Sequence, residues 1–163
     1  MTRRNLWPRL LAPLVLALVV VLAPGRSVAA GPACDAACKV TGARAYVDAL
    51  VSHDASRVPF HPRATRVENG IQTGFSGEQL RHGLENDPQY KVIQQVQDAS
   101  YVVRADGVVV ADYTLAVGVG PVPMGHARVH ETFAYDAAQP RLIRTIVADF
   151  ALSDLGGQPV PGA

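Results

Sequence analysis

Two stretches of strict alternation constrain this chain more than anything else in it. Val109, Ala111, Tyr113, Leu115 and Val117 fall on one side of an extended segment, and Ala127, Val129, Glu131, Phe133 and Tyr135 on one side of another. A period of two marks a β-strand with one buried face. The downstream half of the chain therefore reads as β-structure: strands over 91–96, 100–104, 108–117, 126–135 and 141–152. Ala105-Asp106-Gly107 supplies a hairpin turn, 118–125 reads as a glycine- and proline-rich loop, and 136–140 as a further turn.

The upstream half has a different period. Val40, Ala43, Val47, Leu50 and Val51 recur at three- and four-residue steps, which predicts an amphipathic helix over 39–53. A loop is expected over 54–66. Val67 and Glu68 then lead into Asn69-Gly70, a pair suited to a turn with positive φ. Ser76-Gly77-Glu78-Gln79 fits a capping box for a short helix over 77–86, which Asp87-Pro88 ends. Helices first and hairpin-linked strands later favour α+β: N-terminal helices packed on a curved antiparallel sheet, the two enclosing a hollow.

The first 30 residues read as a separate address. Arg3, Arg4 and Arg9 precede the apolar run 10–22, and small residues at 27–30 offer cleavage sites. That is the layout of an export signal, by the twin-arginine or the general secretory route, with a retained anchor as the rival reading. Its removal takes four of 15 basic residues (Arg3, Arg4, Arg9, Arg26) and none of the 14 acidic ones, so the net charge falls from +1 to −3. No basic patch then remains to suggest nucleic acid, and no membrane span is expected after cleavage. An oxidising destination makes a Cys34–Cys38 disulfide the expected state of the two cysteines, whose C-x-x-x-C spacing is not that of a thiol oxidoreductase. One pocket domain is expected over 31–154, with a loose tail over 155–163.

Within that frame the chain resembles the nuclear transport factor 2-like superfamily, also called SnoaL-like or cone-shaped α+β barrels. Residues 45–54 (AYVDALVSHD), Glu68-Asn69-Gly70, Arg128-Val129-His130-Glu131-Thr132-Phe133 and Ile143-Arg144-Thr145-Ile146 carry the likeness, which spans about 39–152. The resemblance implies a conical pocket under the helices and often a homodimer through the outer sheet face. Its members include isomerases, cyclases, hydrolases, dehydratases and non-catalytic binders, so it does not choose a function.

Candidate chemistry follows from residues that break the apolar pattern. Glu131 is an acid on an apolar stripe; buried there, its pKa would rise into the range of general acid–base work. A Glu near the sheet edge or paired with Arg144 is the competing reading. Tyr113 offers a hydroxyl to a ligand carbonyl, against the alternative of a packed tyrosine. Asp149, between Val147 and Ala151, is a second acid candidate, and Asp98 reads as a cap or a base. Tyr46 and Glu68 join Tyr113 and Glu131 as expected ligand contacts. His126 and His130 stand about 13 Å apart on one strand, too far to share an ion. His53, His61 and His82 read as solvated, so neither a metal nor a cofactor is expected. The leading expectation is an exported protein that binds a small, mostly apolar molecule. The alternatives are a lyase or isomerase using a pocket carboxylate, and a non-catalytic envelope interaction module.

Overall fold

The structure is a computed structural model that describes residues 33–159. The expected export segment, 1–30, and the last four residues of the expected tail lie outside the described residues.

Helix α1 (Ala36–Ser52) starts three residues earlier than the periodicity suggests. Asp35 is its N-cap, the side chain accepting from the Cys38 amide at 2.9 Å, and the Cys34–Cys38 disulfide closes over the first turn. His53 ends the helix in the left-handed region, with φ 55°. Two strands follow, β1 (Phe60–Glu68) and β2 (Ile71–Gly74). Asn69 and Gly70 both take positive φ between them, as the tight turn demands. Helix α2 (Gly77–Asn86) opens with the expected box: the Gln79 amide donates to the Ser76 hydroxyl, and Gln79 Oε1 accepts from the Phe75 amide at 2.7 Å. A single turn, α3 (Pro88–Lys91), leads into β3 (Ile93–Val103), β4 (Val109–Val119), β5 (Val122–Tyr135) and β6 (Ile143–Ser153).

The six strands form one sheet in the order β2-β1-β6-β5-β4-β3. It is mixed, not purely antiparallel as expected, because β1 runs parallel to β6. This also corrects the loop assigned to 54–66: its second half is β1, whose proline, histidine and arginines hide the alternation. The loop assigned to 118–125 is likewise mostly strand. β4 and β5 continue to a turn at Gly120-Pro121, with Val119 paired to Val122. A Cβ at Gly118 would stand 2.5 Å from the Val122 carbonyl and 2.8 Å from the Gln94 amide, so glycine there permits the close approach. Asp98 does not precede a strand but sits within β3, at a bulge with φ 53°.

The concave face carries the core. Val109, Ala111, Tyr113 and Leu115 of β4 and Ala127, Val129, Glu131 and Phe133 of β5 are all buried. α1 covers them with Ala43, Tyr46, Val47 and Leu50. The Tyr46 ring meets Phe60 and Phe133 edge-on, at 6.1 and 5.3 Å between centroids. Full burial of each such side chain contributes about 1.5–3 kcal/mol. Lys39 Nζ donates to the Gly107 carbonyl at 3.0 Å and the Tyr135 hydroxyl donates to the Lys39 carbonyl, so the start of α1 is held to the sheet at two points. The result is an α+β architecture in which α1 packs across the concave face of one mixed sheet.

Candidate functional site

A cavity opens where the inner face runs short of bulk. Across the sheet, Glu68, Ala148, Glu131 and Ala111 form one register row through β1, β6, β5 and β4. Two of the four positions are alanine, and Ala127 adds a third small side chain nearby. Large neighbours on the adjacent rows and on α1 bridge over them. The hollow that results has a volume of about 260 Å³. Tyr46, Glu68, Tyr113 and Glu131 all line it, so the structure brings the four expected ligand contacts to one place.

Glu131 is 1% exposed. The Tyr113 hydroxyl donates to its Oε2 at 2.7 Å. Burial pushes its carboxyl up to about 8, against the opposing pull of the Tyr113 hydrogen bond and the Arg66 charge. At neutral pH it is therefore a neutral acid that can donate a proton. Burial first, and then the neighbouring Glu131, holds the Tyr113 phenol well above its ordinary value, so Tyr113 stays protonated. The competing pairing of Glu131 with Arg144 does not form: Arg144 Nε stands 4.0 Å from Asp136.

Sequence reasoning missed two members of the site. Arg66, on β1, is 5% exposed and reaches into the core. Its guanidinium donates to Tyr46 Oη at 3.2 Å, to the Tyr90 hydroxyl and to Thr73 Oγ1 at 3.1 Å, and stands 3.4 Å from Glu68 Oε2. Tyr90, on α3, also lines the cavity, and burial drives its phenol up to about 12. One cation thus serves two carboxylates, and Glu68 holds the direct contact. Arg66 draws the Glu131 carboxyl down and Glu68 pushes it up by less, so it is burial that keeps Glu131 protonated. A loop assignment concealed Arg66; the Ala64-Arg66-Glu68 alternation was its only local signal.

The remaining candidates lie elsewhere. Asp149 sits on the outer face, exposed, because Ile146 and Ala148 are the inward residues of β6 and Val147 and Asp149 point away. It pairs in register with His130, which in turn stands opposite Asp112. Asp98 lines the same outer cleft. His61 is not solvated: it is buried, its Nδ1 accepts from the Arg63 amide at 3.0 Å, and its Nε2 stands 3.8 Å from Asp136. Among the described residues, no group of His, Cys, Asp and Glu is arranged to hold a metal ion. No helix among them is long and apolar enough to cross a membrane.

Solved structures of similar fold include a CaMKII hub from S. rosetta, with TM-score 0.48 and 18% identity over 74% of this chain and 99% of that one. A hypothetical protein with a ketosteroid isomerase-like fold from Catenulispora acidiphila, in complex with trimethylamine, gives 0.47 and 15% over 71% and 87%. ActVI-ORFA from Streptomyces coelicolor gives 0.43 and 13% over 68% and 95%. No curated protein sequence matches the chain significantly. The family model described as a domain of unknown function (DUF8021) matches residues 35–148, and the chain belongs to that family.

Proposed function

We propose that this is an exported pocket domain that binds a small, mostly apolar molecule carrying one hydrogen-bond acceptor, such as a ketone or lactone. The observation that carries this reading is the sealed Glu131–Tyr113 pair on the wall of an otherwise largely apolar cavity. A neutral carboxylic acid and two phenols offer donors, and the alanine floor and the Leu115, Val117, Val129 and Leu152 walls accept hydrocarbon. An anionic head would face the Glu68 carboxylate, which favours an uncharged ligand.

Export belongs to the same proposal. The Cys34–Cys38 bridge suits an oxidising compartment, and residues 31–154 would form the domain left after the signal segment is removed. N-terminal sequencing of the secreted chain should begin near residue 31.

A thermal-shift screen of the chain against sterols, polyketides and lipid ketones tests the binding reading. Carbonyl-bearing apolar compounds should raise the melting temperature. Glu131→Ala should weaken binding by tenfold or more, whereas Glu131→Gln, which keeps an N–H donor, should retain most of it. Stabilisation by no compound in the screen would defeat the proposal.

A second reading, a lyase or isomerase, is favoured by the position of the Glu131 proton. An acid titrating near neutrality can give a proton to a carbonyl and take one from an adjacent carbon, with the Tyr113 hydroxyl beside it. Its signature is a rate profile with an inflection near pH 8 that vanishes in Glu131→Gln.

A further inference from the structure

One edge of the sheet ends early beside the cavity. Strand β1 stops at Glu68, level with Ala148 of β6, whereas β6 runs on to Ser153. Among the described residues, β6 beyond that level keeps a full strand, β5, on one side only. The Asn69 amide donates to the Ala148 carbonyl at 2.9 Å. The Asn69 side chain accepts from the Phe150 amide at 2.9 Å and donates to the Phe150 carbonyl at 3.2 Å. Backbone groups of every second residue point the same way along a strand, so those of Leu152 face this edge too. Leu152 and Phe150 line the cavity and are 38% and 39% exposed, so the same edge borders its mouth.

The chain itself returns to this edge. The Gly157 amide donates to the Asp154 carbonyl at 3.0 Å to close a turn, and Pro159 then pairs antiparallel with Ser153. Ser153 faces His126 of β5 on its other side, so Pro159 lies on the side that β1 leaves open. The adjoining rung runs from the Asp154 amide to the Gln158 carbonyl at 2.8 Å, and Pro159 has no N–H. Ser153 and Pro159 are therefore a non-hydrogen-bonded pair. In a ladder continued by the next two residues, Val160 and Pro161, Leu152 with Val160 would be a hydrogen-bonded pair and Ala151 with Pro161 again not. Both prolines then fall where the ladder asks for no N–H, and both leave the outer edge without a donor. Directly opposed side chains share a face, and Leu152 faces the cavity.

Resting on the pocket reading above for its ligand, we propose that Val160-Pro161 completes the β6 edge as a flap at the cavity mouth, with Val160 beside Leu152. The occupant of this edge is the protein's own tail, because the turn delivers it there in register and its prolines match the ladder. Asn69 limits the flap. Its side chain already takes the Phe150 backbone groups, so the interval between Asn69 and Pro159 admits one hydrogen-bonded residue. A latch of one such pair is weak, and a ligand enters by parting it.

Proton NMR of the full chain and of a chain ending at Pro159 tests this. In the full chain a nuclear Overhauser contact should join Ala151 Hα to Pro161 Hα. The Leu152 amide should exchange about five- to tenfold more slowly there than in the shortened chain. Val160→Ser keeps the backbone pairing and should weaken binding of 2-hexanone and 2-nonanone, measured by calorimetry, about two- to fourfold. Absence of the Ala151–Pro161 contact, with Leu152 exchanging alike in both chains, would overturn the proposal whether or not a ketone binds. The native spectrum decides this even if the shortened chain does not fold. Ketone binding that Val160→Ser leaves unaltered would overturn the placing of the flap at the mouth. If the contact is present and neither ketone binds the native chain, the pairing is supported and the pocket reading falls. Leu152 protection that survives the shortening and grows with protein concentration would assign the edge to a second copy and overturn the proposal.

Discussion

His130 and Glu131 are neighbours in one strand, yet they inhabit different solvents. The His130 side chain is 56% exposed on the convex face, its Nδ1 2.7 Å from Asp112 Oδ1. Glu131 is sealed on the concave face against Tyr113, within the field of Arg66. An exposed ion pair is screened by water and contributes little, about 0–1 kcal/mol. A carboxyl without water must either find a cation or keep its proton, and Glu131 keeps its proton. One-residue alternation thus separates a solvated surface from a reactive interior.

The sharpest way to break this comparison is to hollow the inner face. Phe133→Ala should destabilise the fold by about 3–5 kcal/mol in denaturant unfolding, since Phe133 is fully buried against Tyr46. Next, Arg66→Met should cost about 2–4 kcal/mol, because it removes the donor from Tyr46 and Tyr90 and leaves Glu68 without its cation. It should also raise the Glu131 titration further, as a positive neighbour is lost.

The third test uses pH. The folded carboxyl of Glu131 titrates near 8 and the unfolded one near 4.5. Between these values the native state binds the extra proton. Stability from this group therefore falls as pH rises from about 4.5 to about 8, by on the order of a few kcal/mol. Chemical unfolding at pH 5, 6.5 and 8 should show that decline in the native chain and a flatter profile in Glu131→Gln. The smallest effect belongs to the outer face: His130→Ala should change stability by less than about 1 kcal/mol.

The inner face was legible because its signals are local. Alternation in 109–117 and 127–135 placed Glu131 and Tyr113 inward, and Ser76 with Gln79 marked the start of α2. Asn69-Gly70 marked a turn, which Asn69 also ties to β6 through two hydrogen bonds with the Phe150 backbone. What escaped was non-local. β1 is a strand because it lies between β2 and β6, a pairing that joins residues some eighty positions apart. Arg66 is tolerated in the core only because Tyr46, Tyr90, Thr73 and Glu68 converge on it from α1, α3, β2 and β1. Asp149 had the same look in sequence as Glu131, an acid among apolar residues. Its neighbours Val147 and Ala151 line the outer face, and only the register with β5 settles that. Glycine and proline over 118–125 suggested a loop, whereas strand pairing continues to Val119 and Val122.

The most direct measurement is the side-chain carboxyl titration of Glu131, followed by carbon-detected NMR on the chain labelled at glutamate and assigned by comparison with Glu131→Gln. A resonance that titrates near pH 8 is the predicted result. A resonance that titrates between 4 and 5 would show a solvated or fully ion-paired carboxylate, and the neutral donor at the heart of the cavity would not exist.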